Sequence, residues 1–357
     1  MSDPYYCFTT WGLEEIAAGE IKRSLPGARM RSASKGKGVV HFDYDGDEHA
    51  LLELATVEDV FVLLAREQIS ADRQGMVQVE RAVAQSPYFE RALATYRQVQ
   101  PRKTKRVTYR VVAQRRHSRQ PHVRKLMQEH VSMAVRQRFP RWHEVEDDAL
   151  IEVWVLHDGN QVLCGLRLSD RTMRHRTYKQ AHIKASLRPT IARSMVVLSE
   201  PADDDVFLDP MCGGGTLLIE RGEHGRYGKL LGGDSNREAV EATRANIGAR
   251  YKPIEIEEWD ATQLPLAENS VTRIVSNLPF GKKVVARQGI QVLYARFIDE
   301  SQRVLCRDGI MVLLTSERQV LLDVLQQRRL QAALHEISVL GQKAFIFKIG
   351  AGDFSAR

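Results

Sequence analysis

The stretch VFLDPMCGGGT, residues 206–216, decides the fold class of this chain. Three apolar residues typical of a buried strand lead into the acidic Asp209 and then into three consecutive glycines, and a helical pattern begins at Thr216. Glycines at a strand-to-helix turn let the backbone approach a ligand closely, because a side chain there would collide with it. The stretch therefore predicts a ligand-binding turn at the end of a strand in an α/β sheet.

From residue 206 onward, short buried strands alternate with helices, as a parallel doubly wound sheet requires. Strands are predicted over residues 206–208, 230–233, 254–259, 273–276 and 310–315, with helices over 216–221, 237–249 and 288–306. The end differs, because Gly341-Gln342 separates two strand-like runs and predicts an antiparallel hairpin over residues 334–349. A parallel sheet with this ending is typical of a class I methyltransferase and unusual for a dinucleotide dehydrogenase.

The glycine turn favours S-adenosylmethionine over a dinucleotide. The sixth position counted from Gly213 is Leu218, so the GxGxxG spacing that places a pyrophosphate at a helix N-terminus is absent. Asp209 would repel a pyrophosphate, but it suits the ammonium group of S-adenosylmethionine. Asp234, at the next strand end, can accept the two ribose hydroxyls, and Asp260 with Ala261 is placed to contact the adenine amino group.

The segment SNLPFG, residues 276–281, follows the fourth strand. It resembles the (Asp/Asn)-Pro-Pro-(Tyr/Phe) motif of methyltransferases that act on exocyclic amines, with Leu278 in place of the first proline. The Asn277 side-chain oxygen and the Leu278 carbonyl can accept the two amine protons, which pulls the nitrogen toward tetrahedral geometry. Pro279 stiffens the turn, and Phe280 can stack on the base. These four residues are the predicted catalytic group.

Positive charge is concentrated in the middle of the chain. Residues 101–190 carry 20 basic and 8 acidic residues, whereas the remainder carries 32 basic and 37 acidic ones. This asymmetry points to a phosphate-rich partner, and a merely solvated basic surface is the alternative. The predicted RNA-binding residues are Arg115, Arg116, Arg119, Arg124, Lys125 and Lys179.

With both motifs in view, the chain resembles the THUMP-domain RNA guanine-N2-methyltransferases over nearly its whole length. The opening TWGLE at residues 10–14, the segment 110–131 with the hairpin at 149–168, and the connector at 176–190 carry the resemblance beside the two motifs. In the family this connector lies over the methionine end of the cofactor. The resemblance thus completes the predicted cofactor-binding set: His182, Ala185, Ser186, Asp209, Pro210, Cys212, Gly213, Gly215, Thr216, Asp234, Ser235, Asp260, Ala261 and Asn277.

The resemblance implies an S-adenosylmethionine-dependent enzyme that forms N2-methylguanosine in tRNA, on an acceptor-stem guanine near position 6. The family holds the 3′ acceptor end of tRNA with its N-terminal part. The expected organisation is a ferredoxin-like unit at residues 1–65, a THUMP unit at 66–170, a linker at 171–190 and the methyltransferase domain at 191–357. The α/β catalytic domain is thus preceded by an α+β region.

Several alternatives stay open. The same chemistry could act on ribosomal RNA or add two methyl groups, and a DNA adenine-N6 enzyme and a nicotinamide dehydrogenase are less favoured. A non-enzymatic RNA-binding module with a vestigial cofactor fold is a further alternative.

Composition sets other limits. With 43% hydrophobic and 27% charged residues, the chain is globular. It shows no apolar run near the roughly 20 residues of a membrane span and no secretory signal. Its four scattered cysteines predict neither a disulfide framework nor a metal site. The expectation is a cytoplasmic monomer that binds neither membrane nor DNA.

Overall fold

The computed structural model describes residues 3–33, 36–70, 72–101, 106–116, 121–181, 183, 186–280, 287–339 and 341–350. Two sheets organise these residues. The strands, in chain order, are β1 (Asp3–Phe8), β2 (Arg29–Ser32), β3 (Val39–Tyr44), β4 (Asp59–Gln68), β5 (Thr108–Arg116), β6 (His143–Glu144), β7 (Ile151–Asp158), β8 (Gln161–Arg167), β9 (Val206–Asp209), β10 (Lys229–Asp234), β11 (Ile254–Glu258), β12 (Val271–Asn277), β13 (Leu305–Thr315), β14 (Ala333–Val339) and β15 (Gln342–Ile349).

The helices pack on the faces of these sheets and connect their strands. They are α1 (Glu14–Ser24), α2 (Arg73–Ala84), α3 (Phe89–Val99), α4 (Pro121–Arg138), α5 (Arg171–His175), α6 (Pro189–Leu198), α7 (Thr216–His224), α8 (Arg237–Ile247), α9 (Arg287–Val304) and α10 (Arg318–Gln327). A short 3-10 helix, Glu48–Glu53, lies between β3 and β4. Asp47 caps it by accepting the His49 N–H, which satisfies one free donor of its first turn.

The first sheet has eight strands in the order β2-β3-β1-β4-β8-β7-β5-β6. Its pairs are antiparallel except where β5 meets β6 and β7. Strand β4 (Asp59–Gln68) crosses the predicted boundary at residues 65 and 66 and pairs with β8, so one sheet runs through both predicted N-terminal units. The α+β character predicted for this half is confirmed, while its division into two domains stays a prediction.

The second sheet has seven strands in the order β11-β10-β9-β12-β13-β15-β14. Strands β9 to β13 run parallel, and β15 is antiparallel to both β13 and β14. The predicted parallel sheet with a terminal antiparallel hairpin is therefore confirmed. The chain winds outward from β9 in both directions, toward β10 on one side and β12 on the other. Ligands of open α/β sheets bind at the carboxyl ends of strands where the winding reverses in this way.

The N-terminal half packs directly on the seven-stranded sheet. Leu13 is buried in the same apolar cluster as α6, α7 and β13. The Ser338 N–H, on the edge strand β14, donates to the Trp11 carbonyl oxygen at 3.2 Å. Gly12 has φ +93°, and a Cβ there would lie 2.0 Å from the Glu336 carbonyl oxygen. Only glycine allows this approach, because any side chain would collide with the strand.

Candidate active site

The glycine turn and the acceptor motif lie on neighbouring strands. Strand β9 ends at Asp209, and β12, paired with it in parallel, ends at Asn277. Residues separated by nearly 70 positions in the chain therefore reach the same edge of the sheet at its switch point. A ligand bound against the glycine turn would lie beside any group held at the end of β12.

Asp209 is almost fully buried, with 1% exposure. Its Oδ1 accepts the Ser276 hydroxyl at 2.9 Å and the Met211 N–H at 3.3 Å. Burial raises the pKa of Asp209 to about 7, although the Ser276 hydrogen bond opposes the shift. A cationic group at this position would favour the ionised carboxylate. The Asp209–Ser276 bond also joins the cofactor motif to the acceptor motif.

The glycine turn is open on one side and anchored by hydrogen bonds at both ends. Gly213 has φ +53°, and a Cβ there would meet no atom within 4 Å, so the turn faces open space at this point. Gly215 has φ +77°, and a Cβ there would lie 2.9 Å from Thr243 of α8. The turn is held from both ends, since the Cys212 N–H donates to the Gly233 carbonyl and the Thr243 hydroxyl to the Gly213 carbonyl. Pro210 and Thr216 are buried at the two sides of the turn.

Asp234 is half-buried at the end of β10, and Ser235 next to it is exposed. Asp234 Oδ2 accepts the Gly213 N–H at 3.0 Å, and Oδ1 accepts the Asn236 N–H, also at 3.0 Å. The carboxylate is thus fixed against the glycine turn. Each oxygen retains a further lone pair for an outside donor, which is the capacity that binding of a ribose hydroxyl requires.

Asp260 is exposed just after β11, with Ala261 buried beside it. Its Oδ1 accepts the Thr262 N–H and hydroxyl, both at 2.8 Å, so the side chain is oriented locally. Trp259 lies beneath this edge and donates from Nε1 to the Pro210 carbonyl at 3.2 Å. A Cβ at Gly233 would lie 2.2 Å from its indole ring. Trp259 therefore joins the ends of three neighbouring strands.

Asn246, buried on α8, ties the connector to the glycine turn. Its Oδ1 accepts the N–H groups of Gln180 and Ala181, at 2.9 and 2.8 Å. Its Nδ2 donates to the Ala181 carbonyl at 3.1 Å and to the Gly214 carbonyl at 2.9 Å. All the hydrogen-bonding capacity of one side chain is thus used to hold the connector over the turn.

The described part of the connector lies close to Gly214. The Ser186 hydroxyl lies 3.8 Å and the Ile183 side chain 3.9 Å from the position that a Gly214 Cβ would take. Lys179 donates to the Ser186 hydroxyl at 2.9 Å and to the Leu187 carbonyl at 2.6 Å, and burial lowers its pKa to about 8. Its ammonium bonds within the connector, and its role toward RNA stays a prediction. His182 and Ala185 lie outside the described residues.

The acceptor loop, residues 277–280, contains one buried polar atom that lacks a hydrogen-bond partner among the described residues. Asn277 Oδ1 is buried, and no donor in the described part of the chain reaches it. An unpaired buried acceptor is costly, so such an atom in a folded protein calls for an explanation. The Leu278 N–H donates to the Leu314 carbonyl at 2.9 Å, and Phe280 packs half-buried against the cluster around α6 and α7. The loop thus keeps an acceptor ready for an outside donor.

The cysteines are poor candidates for a nucleophile at the acceptor loop. All four are unpaired, and Cys212 is buried in the glycine turn, where its Sγ lies 3.5 Å from the Thr243 hydroxyl. Burial raises the pKa of the Cys212 thiol, so it stays protonated at neutral pH. A covalent cysteine mechanism is therefore not supported at the acceptor loop.

Arg124 and Lys125 are exposed on the first turns of α4. They border a groove of about 820 Å3 that also includes Gln128, Met133 and Arg136. Arg115 and Arg116 end strand β5, but their side chains lie outside the described residues, as does the whole of Arg119. The structure thus brings two of the six predicted RNA-binding residues to one groove, whose lining also contains the acidic Glu129 and Glu144.

Sequence reasoning missed Thr243, Asn246, Trp259 and Tyr294. A signal existed for the first two, because polar residues at positions 243 and 246 interrupt the buried stripe of Ala239, Val240 and Ile247 on α8. A polar side chain on an apolar helical stripe needs a partner when it is buried. Trp259 and Tyr294 carry no comparable signal, since buried aromatic residues are ordinary core residues.

Two features are absent from the described residues. No cluster of three or more His, Cys, Asp or Glu side chains is arranged to hold a metal ion. Within the same part of the chain, no helix combines the length and the apolar character needed to cross a membrane.

The sheet order and the strand-end residues at its switch point define a class I methyltransferase domain. Residues 176–342 match the family model described as RMKL-like, methyltransferase domain (UPF0020). The predicted fold class, that of a class I methyltransferase, is therefore confirmed for this part of the chain.

Named relatives extend the similarity. A mouse protein named tRNA (guanine(6)-N(2))-methyltransferase THUMP3 is 31% identical over 197 residues, which make up 51% of this chain and 39% of that protein. A Thermus thermophilus protein named tRNA (guanine(6)-N2)-methyltransferase is 26% identical over 310 residues, 85% of this chain and 86% of that protein. The crystal structure of TrmN from Thermus thermophilus superposes with a TM-score of 0.79 at 22% identity, covering 97% of this chain and 99% of that one. The chain thus spans about two fifths of the mouse relative, and its similarity to the bacterial fold extends over nearly its whole length.

Proposed function

We propose that this protein transfers a methyl group from S-adenosylmethionine to the N2 atom of a guanine in tRNA, within the acceptor stem near position 6. The observation that carries the proposal is the buried and unpaired Asn277 Oδ1 at the strand end beside the glycine turn. An exocyclic amine provides the N–H donor that this oxygen lacks.

The residues present fit the cofactor. Gly213 opens onto free space, Asp234 has lone pairs left for ribose hydroxyls, and the buried Asp209 suits an ammonium group. S-adenosylmethionine, when bound, supplies a methyl group activated by its positive sulfur. The described residues of the site include no group of His, Cys, Asp or Glu side chains arranged to hold a metal ion, and the proposed transfer needs no metal.

The acceptor loop orients the base. The Asn277 Oδ1 and the Leu278 carbonyl accept the two amine protons, so the nitrogen lone pair is directed out of the base plane toward the cofactor side. Phe280 stacks on the base and holds it in place. Because the amine is a weak nucleophile, correct placement of its nitrogen provides most of the rate enhancement.

The choice of tRNA rests on the basic middle of the chain and on the names of the relatives, one of which aligns over 85% of this chain. Ribosomal RNA is the main alternative acceptor, since the same groove and loop would serve it. We also propose that the protein acts in the cytoplasm as a monomer, in keeping with its four unpaired cysteines in a reducing compartment.

The direct test is incubation with unmodified tRNA and labelled S-adenosylmethionine, followed by nucleoside analysis of the digested RNA. We expect label in N2-methylguanosine, with mapping to the acceptor stem. A parallel reaction with ribosomal RNA separates the two substrates. Cofactor binding without label in either RNA would contradict the proposed activity, and label in N6-methyladenosine would contradict the assigned base.

Changing Arg124 and Lys125 together to alanine should weaken tRNA binding and reduce the slope of log affinity against log salt concentration by about 2, because two phosphate contacts are lost. Filter binding between 50 and 200 mM salt measures this. The matched control replaces Arg226 and Arg237, which are 87% and 79% exposed on the catalytic domain. An equal slope change in both variants would mean that general charge, and not this groove, attracts the RNA.

A further inference from the structure

Tyr294, on helix α9, is completely buried, and its ring packs in the apolar cluster that also contains Leu278. Its hydroxyl has two partners at 2.8 Å: the Pro279 carbonyl and the Thr315 hydroxyl. A phenylalanine would fill the same space without a polar atom to satisfy. The hydroxyl is therefore the part of this side chain that core packing does not explain, and it bonds to the acceptor loop.

The direction of each hydrogen bond follows from the donors available. The Pro279 carbonyl can only accept, so Tyr294 donates its proton there, and the Thr315 hydroxyl must donate to the Tyr294 oxygen. The Glu317 N–H in turn donates to the Thr315 hydroxyl at 2.9 Å. Burial raises the pKa of Tyr294 to about 12, so its proton is retained at any working pH. The result is a one-way chain of hydrogen bonds ending on the Pro279 carbonyl, in which each bond strengthens the next.

The acceptor loop is thereby held on both sides of the Leu278–Pro279 peptide. On one side the Leu278 N–H donates to the Leu314 carbonyl at the end of β13, and on the other Tyr294 holds the Pro279 carbonyl. Proline contributes no N–H of its own. These contacts hold the peptides before and after the Leu278–Pro279 peptide. The carbonyl of the Leu278–Pro279 peptide itself, that of Leu278, is one of the two proposed amine acceptors, beside Asn277 Oδ1.

We propose that the Tyr294 hydroxyl is a positioning group that sets the orientation of the acceptor loop for methyl transfer, an inference that rests on the proposed function. Tyr294 is fully buried and its hydroxyl bonds to Pro279 and Thr315, so it would act through Pro279. Displacement of a reacting group by about 1 Å can lower a rate about 100-fold. The hydroxyl should therefore influence the rate of transfer far more than the binding of either substrate.

The test compares Tyr294→Phe with Tyr96→Phe. The control is matched, because Tyr96 of α3 is also buried and also donates its hydroxyl to a backbone carbonyl, that of Leu150 at 2.5 Å, but it lies in the N-terminal half of the chain. We expect Tyr294→Phe to lower kcat about 10- to 100-fold, with KM for RNA and Kd for the cofactor changed less than about 2-fold. Tyr96→Phe should leave all three constants near their original values. Unchanged kcat in Tyr294→Phe, or an equal loss of kcat and cofactor affinity, would overturn the proposal.

A second measurement needs no reaction. Hydrogen exchange of the peptide that contains residues 277–280 should be about 5- to 10-fold faster in Tyr294→Phe than in the unchanged protein, because one of the bonds holding the loop is lost. Tyr96→Phe should leave this peptide unaffected. Unaltered exchange in Tyr294→Phe would overturn the positioning role whatever the enzyme's substrate is. Faster exchange in a protein that methylates no RNA would support the hold on the loop and count against the proposed function alone.

Discussion

Replacing Asn277 with alanine should lower methyl transfer about 1000-fold and leave cofactor affinity within about twofold. The alanine removes the buried Oδ1 that would accept an amine proton, while the glycine turn and the strand-end carboxylates keep their contacts. Because that oxygen has no partner among the described residues, its removal should not destabilise the fold. Single-turnover rates, cofactor titration and thermal unfolding of the same preparation measure the three quantities.

The control for this variant is Asn277→Asp, which keeps an acceptor oxygen at the same position. It should retain much more activity than the alanine variant, since the first position of the related motif is Asp or Asn. Equal, severe losses in both variants would show that the amide nitrogen matters and the oxygen does not. Full activity of Asn277→Ala would remove the acceptor loop from the mechanism.

Replacing Asp209 with asparagine should affect stability and binding in opposite directions. The pKa of Asp209 is raised from its ordinary value near 3.9 to about 7 by burial. The folded protein therefore holds this proton more tightly than the unfolded chain, and the stability it contributes is present below pH 4 and lost as the pH rises through 7. Asparagine has no charge to bury. At pH 8 the variant should have a higher free energy of unfolding than the unchanged protein, because it has no ionised carboxylate to bury.

Cofactor binding should weaken at the same time, by about 10- to 100-fold at pH 8, because a charged partner for the ammonium is lost. In the unchanged protein, cofactor affinity should rise between pH 6 and 8 as Asp209 ionises, and the asparagine variant should lack this dependence. Calorimetric unfolding at pH 4 and 8, with cofactor titration, checks both effects. Asp260→Asn is the control for the unfolding measurement alone, since this exposed position should shift the unfolding free energy by less than about 0.5 kcal/mol, whereas its predicted contact with adenine makes it unsuitable as a control for cofactor binding. An asparagine variant that is less stable at pH 8 and binds as tightly would contradict the assignment.

The sequence predicted the fold of the C-terminal half well. The pattern of residues 206–216 predicted the strand, the turn and the helix that the structure contains, and Gly341-Gln342 predicted the terminal hairpin. These signals are local, because hydrophobic periodicity and glycine content depend on neighbouring residues alone. In the N-terminal half the same reasoning was weaker. No pattern predicted α2 or α3, and the predicted domain boundary at residues 65 and 66, which falls inside β4, stays a prediction.

By itself, the sequence determined the class of sheet and the position of the candidate site residues at its strand ends. Each of these properties resides in a short segment whose residue types are constrained by its own backbone. Only the tertiary structure decided that β9 and β12 are neighbours, that Asp209 is buried against Ser276, and that Asn246 holds the connector. It likewise decided that Tyr294 holds Pro279. These contacts join residues 15 to 67 positions apart, and strand order and side-chain packing select them when the whole core forms.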